Sequence, residues 1–165
     1  MKTLLLIRHA KAASYGLVPG DHGRPLSDKG ERQTQVLAQQ MLAAKVIPDL
    51  MLVSSAMRTM QTCEGLLNVL GSVSVKNEEQ LYLASAEKIE NQIWLAGEGI
   101  NTLAIIGHNP GIAMVTWNFL QAGTGHQQQA KTILQSAFKT GFAAQFDMST
   151  SKPKLVHLFD PRNNN

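Results

Sequence analysis

Leu4-Leu5-Leu6-Ile7-Arg8-His9-Ala10 runs through four consecutive apolar residues and then breaks into a cation and an imidazole. An apolar run of that length predicts a strand covered on both faces, the kind found inside parallel sheets. The pattern returns in Leu50 to Val53 and again in Thr102 to Ile106, where Gly107-His108-Asn109-Pro110 turns the chain. All three runs lead toward segments of helical periodicity. Strand followed by helix, three times over, implies right-handed crossovers and a largely parallel sheet. The fold expected is α/β: a single-domain, three-layer α/β/α sandwich over residues 1–165, with residues 163–165 as a frayed tail.

The helices can be placed from caps and spacing. After a loop rich in Gly and Pro from Tyr15 to Pro25, Ser27 is a candidate N-cap with Asp28 in the first turn, and the helix should run to about Lys45 with Leu37, Met41 and Ala44 inward. A second is expected from about Ala56, with the stripe Met60, Cys63, Leu67, Leu70, closed by Gly71. Ser85 can cap a third, bearing Ile89, Ile93 and Ala96 and closed by Gly97 and Gly99. In the fourth, Asn109 is expected at the N-cap and Pro110 at the first helical position, with Ile112, Val115, Thr116 and Phe119 on its inner face. A weaker strand is expected near Val73 to Val75, a polar mobile loop over 121–129, and a late strand pair at Phe142–Asp147 and Leu155–Phe159.

Composition narrows the function classes. The chain has 165 residues, 44% of them hydrophobic and 16% charged, about one domain's worth of material with enough apolar matter for a core. Fifteen Lys and Arg against twelve Asp and Glu leave +3, with no basic run, so no nucleic-acid partner is expected. Cys63 is the one cysteine, which excludes an internal disulfide and fits a reducing cytoplasm. Four apolar residues before Arg8 are too few for a signal peptide, and nothing is long enough to span a bilayer. A cytoplasmic protein with no membrane partner is the expectation.

Ligands of open α/β sheets bind beyond the carboxyl ends of the strands. Those ends carry Arg8-His9, Ser54-Ser55 leading to Arg58, and Gly107-His108-Asn109. Guanidinium forks match phosphate oxygens, and helix N-termini near Ala56 and Pro110 would add N–H donors, so the rim reads as a phosphate pocket. A histidine among guanidinium groups is disfavoured in its protonated form and keeps a lone pair for attack, which makes His9 the candidate nucleophile. Arg8, Arg58 and His108, if protonated, would stabilise the phosphoryl group in flight. There is no Walker A motif and no metal-ligand spacing, so neither cofactor nor metal is expected.

These residues carry a resemblance. Leu6-Ile7-Arg8-His9-Ala10 resembles the Arg-His-Gly/Ala signature of the histidine phosphatase superfamily, the phosphoglycerate mutase-like proteins. Ser54 to Thr62 resembles its second arginine motif, and Ile106-Gly107-His108-Asn109-Pro110 its second histidine motif. Asp21-His22-Gly23-Arg24-Pro25-Leu26-Ser27-Asp28-Lys29-Gly30 is similar to a stretch of SixA-type phosphohistidine phosphatases, as are Lys139-Thr140-Gly141 and Asp160-Pro161-Arg162. The resemblance implies a phosphoglycerate mutase-like fold and a phosphohistidine intermediate at His9. It also implies phosphate held by Arg8, Arg58 and His108, release by water, and a phosphohistidine-bearing partner such as a histidine-phosphotransfer domain or phosphocarrier. Asn109, Asp21 and Arg24 complete the expected substrate-binding set, although Asp21 and Arg24 could equally brace each other across their loop.

Members of the superfamily that act on alkyl phosphates carry an acidic residue whose place here falls near Leu83, within Gln80-Leu81-Tyr82-Leu83, where nothing is acidic; Glu78 and Glu79 are close by. An alkoxide needs a proton donor to leave, whereas a protonated imidazole leaves readily. The missing acid favours N–P over O–P substrates. The alternatives are a phosphomonoesterase on a small metabolite or phosphoserine and, further off, a non-catalytic phosphate-binding module or a mutase. Lys11 and His22 are expected on the surface, and His126 and His157 as structural or solvated. Cys63, Met57, Met60 and Trp117 are expected in the core.

Overall fold

A computed structural model describes residues 1–16, 20–96, 99–123 and 138–162. The first strand, β1 (Thr3–Arg8), leads through a long loop into helix α1 (Asp28–Ala43); then follow β2 (Leu50–Ser54), α2 (Met57–Leu70) and β3 (Ser74–Glu78). A short 3₁₀ turn, Glu79–Leu81, precedes α3 (Ala86–Leu95), β4 (Thr102–Gly107), α4 (Gly111–Ala122), β5 (Ala143–Asp147) and β6 (Lys154–Phe159). The expected order of elements is the observed one.

The strands form one sheet in the order β3-β2-β4-β1-β5-β6. The pairs β1/β4, β2/β4 and β2/β3 are parallel, while β5 runs antiparallel to β1 and β6 antiparallel to β5. The fold is the expected α/β class, with a mostly parallel six-stranded sheet.

Alternation along each central strand splits the core in two. Leu4, Leu6, Leu52 and Ile105 face one layer with Ile89, Ile112 and Phe119. Leu5, Ile7, Val53 and Ile106 face the other with Leu37, Met41 and Leu66. Because side chains on a strand alternate sides, a run that is apolar at every position is what two covering helix layers require. Helices α1 and α2 cover one face, and α3 and α4 the other.

Caps explain the helix limits. Ser27 accepts from Gly30 N and Ser85 from Lys88 N, as expected. Gly30 also brings α1 against the β1–α1 loop: a Cβ there would stand 2.1 Å from the Lys11 carbonyl oxygen. That carbonyl accepts from both Ser27 N and Ser27 Oγ, so the loop is seated on the start of α1.

Four expectations need correction. In α2 the buried positions are Arg58, Thr59, Thr62, Cys63, Leu66 and Leu70; Met60 and Leu67 are only half-buried and Met57 is 39% exposed. The threonines are inward because their hydroxyls tie the helix to the β2 end and the β1 loop. Thr59 Oγ1 donates to Ser54 O, and Thr62 Oγ1 accepts from Ala10 N. In α4, Pro110 rather than Asn109 is the N-cap, with no side-chain cap bond, because the Asn109 amide is engaged elsewhere. Gln121 and Ala122 belong to α4, not to a loop. Trp117 is half-buried rather than core. The rest of the expected 121–129 loop beyond Gly123, together with Gly97, His126 and the tail at 163–165, lies outside the described residues.

Among the described residues no helix is long and apolar enough to cross a membrane.

Candidate active site

Register places the site. Ile7 pairs with Ile106 and Arg8 with Gly107 across β1/β4, and Val53 pairs with Ile106 across β2/β4. Three carboxyl ends therefore stop at one level, and the residues beyond them share one rim. The chain leaves β1 toward β2 on one side and passes from β4 to β5 on the other, so the β1/β4 junction is the switch point where α/β sheets open a crevice.

The imidazoles of His9 and His108 lie there with ring centroids 5.1 Å apart, 7% and 2% exposed. Arg58, also 2% exposed, joins them: its Nε donates to His9 Nε2 at 3.3 Å and its Nη2 to His108 Nδ1 at 3.2 Å. A guanidinium can only donate, so both ring nitrogens must present lone pairs. His9 Nδ1 faces the Ala10 carbonyl at 2.7 Å, which can only accept; the proton therefore sits on Nδ1 and the lone pair on Nε2. By the same reasoning His108 carries its proton on Nε2 and donates to Ser54 Oγ at 2.8 Å.

Burial lowers His9 from its ordinary 6.5 to about 4, against the bond to Ala10 and assisted by the charges of Arg58, Arg8 and Arg24. His108 falls to about 3 through burial, His9 and Arg58, with Asp21 opposing and Arg8 adding to the fall. Guanidinium repulsion was the sequence-level reason for a neutral His9; desolvation is the larger one. It also holds His108 neutral, with its Nδ1 lone pair against the Arg58 donor, rather than in the protonated form considered for it.

Arg8 Nη1 donates to Phe138 O at 2.7 Å, and Asn109 Nδ2 to the same carbonyl at 2.9 Å. Asn109 thus braces the acceptor that aims Arg8. Gly141, at φ +80, donates its N–H to His9 O at 3.0 Å, where an added Cβ would meet Pro161 at 2.9 Å. The segments around Gly141 and Pro161 hold the turn after β1 from behind.

Asp21 closes the cluster. Its carbonyl accepts from Arg58 Nη1 at 2.7 Å, and its carboxylate Oδ2 from Arg58 Nη2 at 2.9 Å and Tyr82 Oη at 3.0 Å. Oδ1 pairs with Arg24 Nη2 at 3.1 Å and accepts from Tyr15 Oη at 3.2 Å. Desolvation pulls this carboxyl upward, but the bonds from Tyr82, Arg58 and Tyr15 and the charge of Arg58 outweigh it and hold it below the ordinary carboxylate range. Asp21 and Arg24 do brace each other, and through Asp21 the brace reaches Arg58.

All the sequence-derived residues are therefore near one another: Arg8, His9, Arg58 and His108 in the cluster, Asp21 and Arg24 on one side, Asn109 behind Arg8. The sequence reading missed Tyr82, whose ring meets His108 edge-on at 5.5 Å and His22 at 4.8 Å. His22 is exposed as expected, yet its Nε2 lies 2.9 Å from Ser55 Oγ at the rim. Leu83, where the acid was looked for, is 54% exposed, and Glu79 is exposed as well. Cys63 is buried with its thiol pushed up to about 11, as a core residue should be, and His157 is exposed and stacked on Phe159. Lys11 is exposed.

A family model described as the histidine phosphatase superfamily (branch 1) matches residues 4–93, more than half of the chain. The chain belongs to the histidine phosphatase superfamily. Among solved structures, a protein designated phosphohistidine phosphatase SixA from Agrobacterium tumefaciens superposes with a TM-score of 0.86 at 24% identity, covering 97% of this chain and 98% of that one. A protein histidine phosphatase SixA in complex with tungstate gives 0.77 at 20%, with 97% of both chains covered. A phosphoserine phosphatase from Entamoeba histolytica gives 0.68 at 14%, with 98% of both covered. An uncharacterized protein of Mycobacterium tuberculosis is 32% identical over 104 residues, and the match spans 63% of each chain. Within the superfamily assignment, Arg8, His9 and Arg58 fall inside the matched span, while His108 and Asn109 lie beyond it.

Two buried neutral imidazoles make stability depend on pH in a defined direction. The unfolded chain binds protons at the ordinary 6.5, the folded one only near 4 and 3. Acidification therefore favours the unfolded state. The melting temperature is expected to fall as pH drops from about 6.5 toward about 4, and to fall less steeply in His108→Gln. Thermal melts across that window check it, and identical slopes for the two proteins would contradict it.

Proposed function

We propose that the chain hydrolyses phosphohistidine on a protein, with His9 as nucleophile. The observation that carries this reading is the state of Asp21, the carboxylate that hydrogen-bonds with the cluster. It is ionised and accepts on both oxygens, so it has no proton to give a departing alkoxide. Substrates whose leaving group takes its own proton fit such a site best.

In the first step the substrate ring takes a proton from solvent on its free nitrogen, the lone pair of His9 Nε2 attacks phosphorus as the bond from phosphorus to that ring breaks, and neutral imidazole leaves. Arg8 and Arg58 neutralise the equatorial oxygens. Arriving phosphoryl oxygens take the place of the imidazole nitrogens as acceptors from Arg58, and their charge favours a proton on His108. In the second step water attacks phosphorylated His9, releasing phosphate and restoring the free imidazole. Asn109 and Arg24 assist by holding Arg8 and Asp21 in place. The partner is a histidine-phosphotransfer domain or phosphocarrier, as for SixA-type enzymes, and no cofactor enters the scheme.

A small phosphate ester is the second reading, since phosphoserine phosphatase of Entamoeba histolytica shares the fold. The two separate on kcat/KM. A phosphohistidine-bearing phosphotransfer protein is expected to be cleaved at least about 100-fold better than phosphoserine, the lower end of what a general acid contributes. Comparable values would mean that an acid reaches the pocket, and the ester reading would take over.

A further inference from the structure

We infer that Asp21 is a specificity-determining residue that sorts substrates by the charge of the leaving group, favouring a cationic one and disfavouring one that carries a carboxylate. The inference rests on the phosphatase reading above, and it concerns the solvent-facing side of the cluster.

Depth gives the geometry. His9, His108 and Arg58 are 7%, 2% and 2% exposed, whereas the Asp21 side chain is 28% exposed. Phosphoryl transfer runs roughly in line, so a group displaced by His9 Nε2 departs away from the buried imidazole, toward solvent. Asp21 has the most exposed side chain of these four, on the solvent side of the cluster, and it shares Arg58 with any phosphoryl group the cluster holds.

The carboxylate cannot easily be anything but a fixed charge. Oδ2 accepts from Arg58 and Tyr82, and Oδ1 accepts from Tyr15 and is ion-paired with Arg24, so both oxygens are engaged before a substrate arrives. It acts through its field rather than through a new hydrogen bond. A carboxylate beside an imidazole stabilises the imidazolium, and a phosphohistidine ring protonated on its free nitrogen is a cation as long as it is bonded to phosphorus, leaving as neutral imidazole when that bond breaks. The carboxylate of a phosphorylated hydroxy acid would meet a like charge there. A unit charge about 6 Å away at an effective dielectric constant of about 20 corresponds to on the order of 100-fold. Partial exposure and the Arg24 guanidinium reduce this to roughly tenfold.

The test uses two aryl phosphates, one bearing a trimethylammonium group and the other a carboxylate. Aryl leaving groups need no acid, and comparing each variant with wild type cancels their intrinsic reactivities. The kcat/KM ratio of cationic to anionic substrate is expected to drop about tenfold in Asp21→Asn and to be kept in Asp21→Glu. In wild type it should also shrink when salt is raised from about 50 to about 500 mM. If Asp21 served only to hold Arg58, the variant would lose both substrates equally and the ratio would stand, which overturns the inference. An unchanged wild-type ratio across the salt range overturns it as well, without reliance on any variant folding. Failure of the phosphohistidine reading shows in the earlier comparison with phosphoserine and leaves this ratio interpretable.

Discussion

His9→Ala is expected to lower turnover by about 10⁴-fold or more on every phosphorylated substrate, because it removes the one group poised to make the new bond to phosphorus. The geometry is specific about why. The Ala10 carbonyl takes the Nδ1 proton and leaves Nε2 with a lone pair, 3.3 Å from the Arg58 donor that would otherwise hold a phosphoryl oxygen. His108 does not take over, since the charge of the arriving phosphoryl group favours a proton on its Nδ1 and so removes the lone pair that Arg58 contacts there. Two measurements check the expectation. Steady-state turnover of an aryl phosphate gives the magnitude, and mass spectrometry of protein quenched during turnover should find one phosphoryl group on the peptide containing His9, absent in the variant. Retention of more than about one-hundredth of the activity would mean that water, not His9, attacks phosphorus.

How much of this could be read from the chain follows from what kind of signal each part leaves. The central strands were legible because burial on both faces makes every residue apolar, and Leu4 to Ile7, Leu50 to Val53 and Thr102 to Ile106 say so without ambiguity. The site residues followed because β1, β2 and β4 are parallel and in register, so their carboxyl ends had to meet. Helix α2 was harder: an apolar stripe was sought, while Thr59 and Thr62 point inward to satisfy backbone groups that periodicity cannot see. Asn109 looks like a cap in sequence, but it donates to a carbonyl 29 residues away, a long-range contact with no local trace. Tyr82 escaped for a different reason, since the place was searched for a carboxylate and a phenol that serves Asp21 was not sought. The double role of Asp21, bracing Arg24 while holding Arg58, likewise needed the loop to be seen folded back on α2.

Arg58→Ala should produce the second large effect, about 10²- to 10³-fold in kcat, the usual consequence of deleting a charge-stabilising donor. Arg58→Lys should recover only part of it, since a point charge cannot contact His9, His108 and Asp21 at once as the guanidinium does. The pH profile distinguishes this from a simple loss of binding. Attack requires His9 unprotonated, so kcat/KM of the free enzyme rises with pH through the His9 value, about 4 in the wild type. Burial is the largest reason for that low value, and Arg58 the largest of the charges that add to it. Removing the guanidinium both deletes that charge and opens the pocket to water, so the acid limb should shift upward, toward the ordinary 6.5. The change is read from kcat/KM between about pH 3.5 and about pH 8. A limb that stays in place while kcat falls would assign the low His9 value to the walls of the pocket alone, and would leave Arg58 with a phosphate-binding role only.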